Sequence, residues 1–161
     1  MIEIKPPKMA KIKGVSVFLA GSIEMGAAED WQSKVAKSMI GHDATVFNPR
    51  REEWDSSWKQ EQSQDQFNEQ VNWEMCYLER SEIIFMYLVP ETKSPISLLE
   101  LGLHAASGKM IVVCPEGFWR KGNVDIVCAR HGIPSYSTLD EGIGALMTKV
   151  RQLGSARPFD I

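Results

Sequence analysis

Three short runs of this chain are apolar at nearly every position: "VSVFLAG" (15–21), "EIIFMYLVP" (82–90) and "MIVVCP" (110–115). A strand with one wet face alternates apolar and polar residues. A strand that is apolar throughout is covered on both faces, as in a parallel sheet sandwiched between helices. "ATVFNP" (44–49) reads as another strand, broken at Asn48-Pro49, and a short fifth is expected near Ile133. The segments between them carry helical spacing. "AAEDWQSKVAKSMIG" (27–41) places Trp31, Val35, Met39 and Ile40 at helical spacing and stops at Gly41. "SQDQFNEQVNWEMCYLERS" (63–81) places Phe67, Val71, Met75 and Leu78 on one apolar face. "SPISLLELGLHAASGK" (94–109) has Pro95 in its first turn, and 123–132 and 138–154 also read as helices.

Strands alternating with helices predict an α/β fold. The most economical form is a single-domain, doubly wound (flavodoxin-like) five-stranded parallel sheet with helices on both faces. The expected organisation is an N-terminal extension (1–14), the domain itself (15–154) and a C-terminal tail (155–161). At 161 residues, 43% hydrophobic and 24% charged, the chain has the make-up of one globular domain. A net charge of −3 gives no general attraction to polymeric nucleic acid or to a membrane, so any anion site must be built locally. Cys76, Cys114 and Cys128 are far apart and form no CxxC pair, which fits reduced core thiols in a cytoplasmic protein. The first residues lack the apolar core of a signal peptide, and no run reaches transmembrane length. No metal-ligand cluster, P-loop or GxGxxG is present, so no cofactor is expected.

In doubly wound sheets ligands sit at the carboxyl ends of the strands. That edge should hold Gly21, Ser22 and Ile23, then Asn48 to Arg51, Pro90 to Pro95, and Pro115 to Arg120. Glu100, within "SPISLLELG", opens a question at this edge. It sits among Leu98, Leu99, Leu101 and Leu103, where an ionised carboxylate is costly unless it is paired or used. It is either an exposed stripe residue or a working group. Glu74, in "NWEMC" on the preceding helix, can be brought to the same edge. Two carboxylates converging on one cleft are suited to cleaving a glycosidic bond by a retaining route.

"VFLAGS", "VFNPRREEWD", Glu74 placed eight residues before Glu82 in "EII", and "SPISLLELG" together resemble the nucleoside 2-deoxyribosyltransferase superfamily. The similarity spans roughly residues 15–135 and is nearest the short deoxyribosyltransferase-like proteins; it extends to the CMP and deoxynucleoside monophosphate N-glycosidases. The resemblance implies cleavage or transfer of the N-glycosidic bond of a (deoxy)nucleoside or its 5′-monophosphate through a glycosyl-enzyme. It puts the nucleophile at Glu100, a second acid at Glu74 and the strand-entry acid at Glu82. It also implies a homo-oligomer, with Asn123 in "GFWRKGN" reaching a neighbouring subunit's site. The nucleoside transferases carry an Asp where this chain has Ser94, and the monophosphate-cleaving branches carry a serine.

Chemistry adds to the resemblance. Attack needs an ionised Glu100, whose pKa is expected to stay low, whereas Glu74 beside Trp73 and Met75 is expected to hold a proton for the leaving base. Ser94 and Pro95 open a helix whose unpaired N–H groups suit an anion, and Ser22, Arg50 and Arg51 are candidates to complete a phosphate cradle. Substrates with a 5′-phosphate are therefore expected to be preferred. Arg50 and Arg51 read equally as a solvated basic turn, and Trp54 and Trp58 either stack on a base or pack their long loop. His104 reads as an ordinary helix-face residue. Two alternatives stay open: a nucleotide-sensing domain of the same fold without turnover, and an unrelated flavodoxin-like module. The lack of a Ser/Thr-rich phosphate loop after the first strand argues against flavin.

Overall fold

The computed structural model describes residues 1–24, 28–51, 55 and 57–157. Its strands are β1 (Ile2–Ile4), β2 (Val15–Gly21), β3 (Ala44–Phe47), β4 (Ile83–Tyr87), β5 (Met110–Val113) and β6 (Ser135–Tyr136). Its helices are α1 (Trp31–Ser38), α2 (Asp65–Arg80), α3 (Pro95–His104), α4 (Lys121–His131) and α5 (Leu139–Ser155). All strands are parallel, in the order β1-β3-β2-β4-β5-β6.

Among the described residues the sheet therefore has six strands where the sequence predicts five. The sixth is "IEI", which pairs with β3 at one edge, Ile2 opposite Thr45 and Ile4 opposite Phe47. An edge strand with little burial needs no apolar run, so hydrophobic patterning carried no trace of it. The remaining five follow the doubly wound order.

Both faces of the sheet are covered, as the unbroken apolar runs require. Along β2, Val17 and Leu19 pack with Trp31 and Val35 of α1 and Leu146 of α5. Phe18 and Ala20 face the other way, toward Trp73 and Tyr77 of α2 and Leu101 of α3. Helix starts follow local chemistry. The Asp30 carboxylate caps α1 by accepting the Ser33 N–H at 3.1 Å, and Thr138 with Glu141 forms a reciprocal capping box on α5. The last strand, expected near Ile133, forms two residues later at Ser135–Tyr136. Among the described residues no helix is long and apolar enough to cross a membrane.

Candidate active site

The order of the strands creates the site. The chain leaves β2 toward β3 on one side, while β4 lies on the other, so the switch point falls between β2 and β4. Gly21 ends β2 directly opposite Tyr87, which ends β4. Above this point opens a cleft of about 830 Å³, floored by Phe18 and Ala20 and walled by α2 and α3.

Glu74 of α2 and Glu100 of α3 both line this cleft, each half-buried. The Gln70 amide, one turn before Glu74, donates to Glu74 Oε1 at 2.7 Å and to the Pro49 carbonyl at 3.0 Å. Pro49 thus fixes the amide, and the amide fixes the carboxyl. Burial pushes Glu74 up to about 7, against the opposing pull of the Gln70 hydrogen bond. Burial also pushes Glu100 up to about 8, and the nearby charge of Glu74 adds to it. The expectation of a low pKa at Glu100 is therefore corrected. Glu100 stands six residues past Ser94, beyond the first turn where the helix dipole acts, and desolvation beside another carboxyl prevails. The two carboxyls form a coupled pair that retains a proton near neutral pH.

The other expected site residues divide. Gly21, Arg50, Arg51, Ser94 and Pro95 line the cleft with the glutamates. Ser22 and Asn48 lie buried beneath the edge: Asn48 donates to Glu3 at 2.7 Å and accepts the Arg50 N–H at 3.0 Å. Glu82 is not at the site. It precedes β4, roughly 16 Å from the carboxyl edge at the rise of a five-residue strand. There it accepts the Ser16 N–H at 3.0 Å and pairs with Arg157 at 2.6 Å. Asn123 is exposed on α4 and is absent from this chain's own cleft. Trp54 lies outside the described residues; the Arg51 guanidinium covers the Trp58 ring at 5.0 Å.

The expected phosphate cradle is not assembled. The Ser94 hydroxyl is buried in a ring with Ser22 Oγ at 2.6 Å and Thr92 Oγ1 at 2.7 Å. Arg50 donates to the carbonyls of Ala28 (2.7 Å) and Glu29 (3.2 Å), and Arg51 pairs with Glu69 at 3.0 Å. Most of these donors are engaged within the protein, while the Arg51 Nε is buried at the cleft without a hydrogen-bond partner among the described residues.

Several cleft residues carry no distinguishing pattern in the sequence. Gln70 was legible in principle, since an i,i+4 neighbour shares a helix face with Glu74. Lys5 reaches the cleft because β1 ends at Ile4, and Glu24 because the loop after β2 turns back toward α3. His104 also lines it, its pKa lowered by burial and by Lys109. Among the described residues no group of three or more His, Cys, Asp or Glu is placed to hold a metal ion.

Paired acidic groups at the switch point of a doubly wound α/β domain form an arrangement capable of acid–base and nucleophilic chemistry. The model of the family described as nucleoside 2-deoxyribosyltransferase like matches residues 14–118, a span containing both glutamates, and the chain belongs to that family. No curated protein matches the chain.

Proposed function

We propose that this protein cleaves or transfers the N-glycosidic bond of a (deoxy)nucleoside, with Glu100 as nucleophile and Glu74 as proton donor. The observation that carries the proposal is the coupled carboxyl pair at the switch point of a nucleoside 2-deoxyribosyltransferase-like domain. The working form has Glu100 ionised and Glu74 protonated, the less populated of the two singly protonated forms, since Glu100 near 8 holds its proton more tightly than Glu74 near 7. Glu100 attacks C1′ as positive charge develops there, and a C1′–O ester forms while the C1′–N bond breaks. The bonding electron pair leaves with the base nitrogen, which takes the Glu74 proton. Water or the nitrogen of a second base then attacks C1′, its proton passes to Glu74, and the ester opens. Water gives hydrolysis; a second base gives transfer. Chromatography of base release from a panel of nucleosides and nucleotides tests the activity. Mass spectrometry with a 2-fluoro-2-deoxyribosyl substrate tests the intermediate, since a fluorinated sugar retained on Glu100 is expected. No base release from any member would remove the proposal.

The coupled pair sets the pH dependence. Below the lower pKa both carboxyls are protonated and there is no nucleophile; above the upper one both are ionised and there is no acid. kcat/KM is expected to be bell-shaped, with apparent limbs near 7 and 8 that belong to the pair. In Glu74→Gln the alkaline limb disappears and one acid limb remains, at or slightly above the pair's lower limb, because Gln stands in for the neutral Glu74 that is present when the pair loses its first proton. Loss of rate is greatest for bases that need protonation to leave. Equal losses for all leaving groups would assign Glu74 a positioning role.

The same reading makes the protein a homo-oligomer with clefts near subunit interfaces, Asn123 of one subunit serving the next. Supporting it, Met75, Ile96, Leu99 and Leu103 expose apolar surface around the cleft mouth. Sedimentation at micromolar concentration is expected to give a dimer or larger species, and a monomer would remove this part.

A further inference from the structure

The end of the cleft at the start of α3 is closed by a carboxylate that neither glutamate of the pair supplies. Glu24, three residues past β2, reaches across the switch point and accepts the Ser94 N–H at 2.8 Å. Among the described residues its hydrogen bonds are to Ser94 alone. It therefore occupies the anion position that a helix N-terminus offers. Around it the Ser94 hydroxyl is held in its buried ring, and Arg50 and Arg51 are engaged by Ala28, Glu29 and Glu69. Directly at the Ser94 N–H, what faces a ligand is the Glu24 carboxylate, while Lys5, Arg50 and Arg51 line the cleft further out.

Distance along α3 says what meets it. Glu100 stands six residues after Ser94, roughly 9 Å along the helix axis. Helical side chains lean toward the N-terminus, so the Glu100 carboxyl closes part of that span and leaves room for about one pentose. Glu74 flanks Glu100 on the α2 side. A nucleoside with C1′ at Glu100 and its base over α2 turns the far end of its sugar to Glu24.

We propose that Glu24 is the specificity-determining residue for that far end, accepting a hydrogen bond from a neutral 5′-hydroxyl and excluding a 5′-phosphate. This rests on the nucleoside reading of the site. A hydroxyl donates to a carboxylate, whereas a phosphate dianion brings only acceptors and like charge, and must displace Glu24 from Ser94. The preference is the reverse of the one expected from Ser94 in the sequence.

The test measures binding in Glu100→Gln, which reads the 5′ end whether or not the chemistry is as proposed. A matched nucleoside, its 5′-deoxy analogue and its 5′-monophosphate are titrated into Glu100→Gln and into Glu100→Gln/Glu24→Gln. The nucleoside is expected to bind roughly 10- to 100-fold tighter than the 5′-deoxy analogue, the worth of one hydrogen bond to a charged group. It should also bind tighter than the monophosphate. Glu24→Gln is expected to narrow both ratios, and kcat/KM in the parent protein should follow the same order. Monophosphate binding as tight as nucleoside binding, or ratios untouched by Glu24→Gln, would overturn the assignment of Glu24. Failure of base release with these ratios intact would count against the chemistry alone. No binding of any of the three would overturn both.

Discussion

Glu100→Ala and Glu100→Gln are expected to lower turnover by at least ~10³-fold, as loss of a covalent nucleophile generally does, with the fold retained. The substitution removes the group that meets C1′ and leaves the core intact, since Glu100 lines the cleft while Leu101 beside it packs inward. Stability supplies an independent readout. The folded protein holds the Glu100 proton more tightly than an unfolded chain, whose carboxyl titrates near 4.5. Stability therefore falls as pH rises from about 4.5 toward about 8, because ionisation is opposed only in the fold. Glu100→Gln, which cannot ionise, should melt at the same or a higher temperature than the parent at pH 8, and the difference should shrink at pH 5. Steady-state rates and thermal unfolding at the two pH values check both parts. Near-normal turnover in Glu100→Ala would end its role as nucleophile.

Gly21→Ala is expected to be the most damaging single-methyl change near the site. Gly21 sits where β2 and β4 meet, with φ at 130°, a conformation that L side chains rarely adopt. A Cβ there would lie 2.2 Å from the Tyr87 carbonyl oxygen and 2.8 Å from the Tyr87 nitrogen. Both obstacles are backbone of a central strand, so no rotamer change relieves them. The neighbouring Ser22 N–H also bonds the Tyr87 carbonyl, at 3.0 Å, so displacement of either chain disturbs the switch point. Steric overlap and a disfavoured φ together cost at least ~3 kcal/mol. For a chain of this size that lowers Tm by roughly 6–12 °C. Gly144→Ala is the control: it lies exposed in α5 with nothing within 4 Å of its added Cβ, and is expected to be neutral or mildly stabilising. Thermal melts of the two variants decide it. A Gly21→Ala protein that melts within a degree of the parent would show that the strand ends can move apart.

The doubly wound sheet was legible in the chain, because strands such as "IIFMY" and "MIVV" are apolar on both sides, as a parallel sheet covered on both faces requires. The sequence also singled out Glu74 and Glu100, since a carboxyl among leucines and a second on the preceding helix stand out against a known solvent cost. Strand β1 stayed hidden because backbone pairing at an edge leaves no side-chain pattern. Glu82 was carried to the site by the family resemblance, although its position ahead of β4 puts it at the opposite end of the sheet. How the site is tuned depends on contacts between segments far apart in the chain. The raised pKa values of the pair come from burial and mutual repulsion across two helices that are distant in sequence. Ser94, Arg50 and Arg51 each have the chemistry to hold a phosphate. Whether a hydrogen-bonding group faces a ligand or the protein depends on which partners the fold brings within about 3 Å, and here it brought Ser22, Thr92, the 28–29 carbonyls and Glu69.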